Sequence, residues 1–137
     1  MDIDEIYNEF EPFPLDGKFS SDRDFVLQEY RNNGAQLVIR SPKGYNGARR
    51  IDISFRDVRA MELRCWTRGI NVEEIHIDGA CSSNTNPGEI VDENSRCFLI
   101  SSAEWTGFVV ASDCAIVLDN RGPDDPPMLN WDQKNFR

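Results

Sequence analysis

Between Arg49 and Trp66 the chain reads RRIDISFRDVRAMELRCW, and apolar and polar residues alternate along it. Ile51, Ile53 and Phe55 fall on one side and Asp52, Ser54 and Arg56 on the other, and Met61, Leu63 and Cys65 repeat the pattern. A period of two is the mark of a β-strand with one face buried. The phase weakens at Arg56-Asp57, where a bulge is expected. The apolar face of this stretch should form the spine of a core. Its polar face carries Arg49, Arg56, Arg59 and Arg64.

The same grammar recurs along the chain. Phe25 to Arg31 suits a strand or a helical turn, Asn32-Asn33-Gly34 a tight turn, and Gln36 to Ser41 the returning strand of a hairpin. Thr67-Arg68-Gly69 reads as a turn before a strand over 70–78, whose phase slips between Val72 and Ile75. Residues 79–88 read as a long polar loop. Cys97 to Ser102, Trp105 to Ser112 and Cys114 to Leu118 read as a three-stranded meander, central in the sheet because its apolar runs are nearly continuous. At the start, Ile3, Ile6, Tyr7 and Phe10 share a helical face, which predicts a short N-terminal helix. Pro14 to Ser21 reads as a loop.

No helix long enough for a βαβ crossover is expected, so the sheet should be antiparallel. The expected fold is mainly β: one domain over 1–137, an antiparallel β-sandwich or a curved sheet forming a partial barrel, with a short N-terminal helix. Within it, 1–21 form the helix and loop, 22–118 the β body, and 119–137 a proline-rich tail. Trp131 and Phe136 should dock that tail on the body.

The net charge of −9 is unevenly spread. Residues 1–35 carry nine acids and three bases, 36–70 three acids and eight bases, and 71–137 twelve acids and four bases. An acidic chain disfavours nucleic-acid and anionic-membrane binding, and no apolar run approaches a transmembrane length. The acidic N-terminal stretch has neither the basic nor the apolar region of a signal peptide. A cytoplasmic location is expected. The central arginines should pair with acids on neighbouring strands. Arginines exposed on one face, with no carboxylate within about 4 Å, would instead make a basic surface.

Chemistry-bearing motifs are sparse. Cys65, Cys81, Cys97 and Cys114 have no zinc-type spacing, and Cys65, Cys97 and Cys114 should be small buried hydrophobes. His76 lies between Glu74 and Asp78 and is the one acid/base candidate, but no nucleophile accompanies it. Asp119, Asp124 and Asp125 lack the spacing of a calcium loop. Arg40, Lys43, Tyr45, Arg49 and Arg50 form a basic cluster around a glycine loop, opposed as a nucleic-acid site by the overall charge. No cofactor, metal or catalytic residue is expected.

The strand pair IDISFRDVRAMELRC at 51–65, the stretch RGINVEEIHI at 68–77 and the run FLISSAEWTGFVVASDCAIVL at 98–118 give the chain a general resemblance to the small acidic immunity proteins of bacterial polymorphic toxin systems. The resemblance implies a non-enzymatic module that neutralises a basic toxin domain by stoichiometric binding through acidic side chains. It transfers no functional residue. The acid-rich regions independently offer Asp92, Glu93, Glu104, Asp124 and Asp125 as partner contacts, with Trp105 or Trp131 as anchors. Two other functions fit the same residues. One is a small-ligand or carbohydrate-binding domain using a concave face lined by Trp66, Trp105 and Tyr45. The other is a subunit of a homo-oligomer.

Overall fold

The computed structural model describes residues 9–12 (backbone only), 17–31, 35–42, 49–75, 96–122 and 124–127. They form nine strands and no α-helix: β1 (Glu9–Pro12), β2 (Lys18–Arg31), β3 (Gln36–Ser41), β4 (Arg50–Arg56), β5 (Ala60–Glu62), β6 (Trp66–Ile75), β7 (Arg96–Ser101), β8 (Thr106–Ala111) and β9 (Asp113–Asp119). All pairings are antiparallel, in one sheet of order β1-β9-β4-β3-β2-β6-β7-β8-β5. The expected mainly β, antiparallel class is what the chain adopts.

Three stretches of chain pass between different neighbours within the sheet. β2 pairs β6 through its first half and β3 through its second, and Val26 sits at the change, opposite both Trp66 and Arg40. β4 passes into β5 through 57–59, and β8 passes into β9 through Ser112 alone. These last two bent strands run side by side, β4 against β9 and β5 against β8. Backbone bonds hold the bends together: Arg59 N–H donates to Val110 at 2.8 Å and Ser112 N–H to Arg56 at 2.9 Å. Asp57 takes the left-handed conformation there (φ 57°), which a short polar residue tolerates. Its carboxylate accepts from Ser112 Oγ at 2.7 Å.

Two continuous stretches of chain, β4–β5 and β8–β9, thus link the β9–β4 side of the sheet to its β8–β5 edge. Phe25, Leu37, Ile53, Phe55, Ile70, Val72, Phe98, Ile100 and Val109 are buried in one cluster. Phe55 and Phe98, from β4 and β7, meet edge to face at 5.3 Å, a favoured aromatic geometry.

Several expected elements differ. Of the helix expected over 2–10, residues 1–8 lie outside the described residues, and Glu9 and Phe10 stand in β1. The loop expected up to Ser21 is already strand from Lys18. The turn expected at 67–69 lies inside β6. Gly69, with φ 74°, is the single residue opposite Asp22 and Arg23, where the register shifts between Ser21 and Asp24. Across it burial along β6 passes from Thr67 to Ile70 and Val72, and only glycine enters that conformation cheaply. β7 and β8 pair as expected, but β9 leaves the meander and lies between β1 and β4. The regular alternation from Val58 to Cys65 yields only the three residues of β5. Met61 and Cys65 are exposed there instead of joining the core.

Candidate functional site

The strands β3, β4 and β9 are buried on both faces, and the second face is charged. Arg40, Arg50, Asp52 and Asp119 are each at most 1 % exposed. Arg40 and Asp52 are direct cross-strand partners, as are Arg50 and Asp119. The Arg40 guanidinium donates to both Asp52 oxygens, at 2.7 and 3.0 Å. Arg50 Nη2 donates to Asp119 at 2.9 Å. The Arg50 Nε lies equally close to the other Asp119 oxygen but without hydrogen-bond alignment. Two cations and two anions on adjacent strands neutralise one another, the condition under which charge can be buried at all.

The remaining donors of these arginines reach the proline-rich segment after β9. Arg50 Nη1 donates to the carbonyls of Gly122 and Asp125, Arg50 Nη2 to Pro126, and Arg40 Nη1 to Asp125. Asp119 also accepts from the Arg121 N–H, and Asp125 from the Gly122 N–H. The described part of the tail, 119–122 and 124–127, is therefore strapped to the body by buried guanidinium groups. Trp131 and Phe136, expected to dock it, lie outside the described residues.

This arrangement removes Arg40 and Arg50 from any nucleic-acid surface. Arg49 is half-buried, and Lys43 and Tyr45 lie outside the described residues. Arg56 pairs with Asp113, which also lies 3.6 Å from Arg96. Arg96 in turn grips both oxygens of Glu74, at 2.7 and 2.8 Å. The Glu74 hydrogen bond, against the opposing effect of burial, holds the Arg96 guanidinium more firmly protonated than usual. Glu74 is thus engaged with Arg96, which weakens its case as a partner for His76. His76, Asp78 and Cys81 lie outside the described residues. Burial acts the other way on Arg23, lowering its pKa, and that side chain donates to the carbonyls of Arg49 and Pro42.

The six expected partner contacts are not gathered into one described site. Asp92 and Glu93 lie outside the described residues. Glu104 is exposed in the turn between β7 and β8, and Asp124 is exposed in the strap. Asp125 is exposed but serves the strap's own turn. Trp105 is half-buried against the core, and its indole N–H donates to Thr67 Oγ1 at 3.0 Å. It is a packing residue with its polar atom satisfied. Trp66 and Thr67 are successive residues of β6 and point to opposite faces. Trp66 and Trp105 therefore do not line one aromatic surface.

Sequence reasoning placed Trp66 in a ligand cavity and missed how it is presented. At the head of β6 it is 47 % exposed. Arg64 and Arg68, two residues to either side, are exposed with no ion pair among the described residues. The spacing Arg64-x-Trp66-x-Arg68 was the available signal.

Cys97 and Cys114 are buried, as expected, and burial pushes the Cys114 thiol well up. Cys65 is exposed because β5 ends at Glu62 and 63–65 leave the sheet. In the native protein a thiol reagent is expected to modify Cys65 rapidly and to spare Cys97 and Cys114 until denaturant is added. Peptide mapping by mass spectrometry checks this, and early labelling of Cys114 would contradict the packing described. Among the described residues, no group of acids, cysteines or histidines could hold a metal ion, and no helix is long and apolar enough to cross a membrane. Compared with protein-family models, with curated proteins and with solved structures, the chain matches none of them.

Proposed function

We propose that this chain is a non-enzymatic protein-binding module built on a curled, partly closed β-barrel. The observation that carries the reading is the presentation of Trp66. A half-exposed tryptophan between two exposed arginines that have no ion pair among the described residues has the composition of an interface anchor. The other described charge clusters are absorbed in holding the fold. The resemblance to immunity proteins supplies the specific form of the proposal: stoichiometric neutralisation of a toxin domain in the cytoplasm. Of the acidic contacts proposed from sequence, Glu104 and Asp124 remain exposed and belong to this reading.

The test is affinity capture with the full chain as bait from the cells that produce it. The captured protein is then purified and mixed back at known concentration. A complex of fixed stoichiometry, with the partner's toxic activity abolished at equimolar addition, is the expected result. A fixed-stoichiometry complex with a harmless partner would retain the binding module and remove the immunity reading. Failure to form any defined complex from low to physiological salt would remove both.

A further inference from the structure

Three large apolar side chains stand exposed among the described residues: Trp66 at 47 %, Tyr30 at 42 % and Met61 at 38 %. Tyr30 pairs with Leu37 and Met61 with Val109, both core residues, so these two stand on the core-facing side of the sheet. Trp66 pairs with Val26, which pairs with Arg40, so the tryptophan stands on the other face. Arg64, Cys65 and Arg68 are exposed along the same stretch of chain as the tryptophan. Arg40, Arg50, Arg56, Arg59 and Arg96 have carboxylate partners, Arg23 and Arg121 donate to backbone carbonyls, and Arg64 and Arg68 have no partner among the described residues.

Resting on the protein-binding reading above, we infer that the Arg64–Arg68 stretch around Trp66 is the docking surface, and that its occupant is a short acidic segment of a partner protein. The guanidinium fork matches a carboxylate in two parallel bonds. A tryptophan beside it supplies the apolar anchor that makes such pairs strong by excluding water. The alternative polyanion is a nucleic acid, and the surroundings oppose it. Asp24 faces Arg68 across the β2–β6 pair and is exposed, as are Asp22 and Glu62. A long uniform polyanion meets these acids and the molecule's net charge of −9. A short segment can set one or two carboxylates at the arginines and an apolar side chain on Trp66. The same physics gives the contact a strong salt dependence.

The test uses the full chain and three defined probes of about a dozen units each: a glutamate-rich peptide containing leucine, its lysine-rich counterpart, and an oligothymidylate. Binding is read from the Arg64 and Arg68 side-chain and Trp66 indole resonances. The glutamate peptide should shift all three, with affinity falling about tenfold or more in R64E/R68E or W66A and weakening as salt rises. Two outcomes would overturn the proposal: no shift at these residues with the glutamate peptide, or tighter binding of the oligothymidylate. Both variants must keep the wild-type spectrum elsewhere, and R64K/R68K should restore much of the binding if folding is sound. A captured partner that still binds R64E/R68E at full strength, but is lost from E104K/D124K, would sink this surface and leave the binding module standing.

Discussion

Asp52→Ala is expected to lower stability by about 3–5 kcal/mol, the usual cost of stranding a buried charge. Asp52 is 1 % exposed and accepts from Arg40 through both its oxygens. It also lies 3.8 Å from Arg50. Alanine would leave Arg40 facing the Asp125 carbonyl but without its counter-charge, in a position water does not reach. The companion variant R40L/D52L removes both charges and should cost clearly less than the single substitution, since no ion is left unpaired. Urea unfolding of the three proteins measures the difference. A double variant more damaged than D52A would mean that the guanidinium's grip on the strap outweighs the charge balance. Set against the typical 5–15 kcal/mol of a domain, the single substitution should leave the protein close to unfolding.

Gly107→Ala is expected to cost about 3 kcal/mol, at the upper end of what overpacking does. Gly107 is buried in β8, beside β5. A Cβ there would stand 1.9 Å from the Glu62 carbonyl oxygen and 3.0 Å from Trp105 Cζ3. The first neighbour is backbone and cannot rotate away. β5 would have to leave β8, taking the Ala60–Val110, Met61–Val109 and Glu62–Phe108 pairings with it. Hydrogen exchange should show the amides of Ala60–Glu62 losing protection, and thermal unfolding the loss of stability. Wild-type stability with unchanged protection would show that the two strands do not approach as closely as described.

Class and strand content were legible because the pattern that encodes them is local. Gln36–Ser41, Arg50–Arg56 and Arg96–Ser101 announce themselves by apolar residues that meet the core. The rest depended on distant contacts. Asp52 and Arg40 look like solvent-facing positions of half-buried strands, yet both are buried, because each neutralises the other across the β3–β4 pair. Met61 and Cys65 keep perfect alternation beyond Asp57, yet the chain has turned and no core faces them. The helical spacing that ends at Phe10 gives way to β1 at least over its last two residues, where pairing with β9 overrides local preference. The meander ending in Cys114–Leu118 failed at Ser112. One residue sufficed to carry the chain from one part of the sheet to another, and adjacency in sequence did not become adjacency in space. The exposure of Trp66 was hidden for a related reason. Gly69 resets the phase of β6, so the face of any residue before it could not be read from those after it.

The strap after β9 has an implication for how this protein tolerates change. Arg40 and Arg50 reach it through the carbonyls of Gly122, Asp125 and Pro126, so the contact asks for a chain path and is indifferent to most side chains along it. Arg121, Asp124 and the side chain of Pro126 can be exchanged without touching those bonds. The binding groups reside in β3 and β4, where a lysine could not replace either fork. Mutational drift should therefore be wide in the strap and narrow at the two arginines, the reverse of what the bland strand positions of Arg40 and Arg50 and the conspicuous prolines of the tail would lead one to expect.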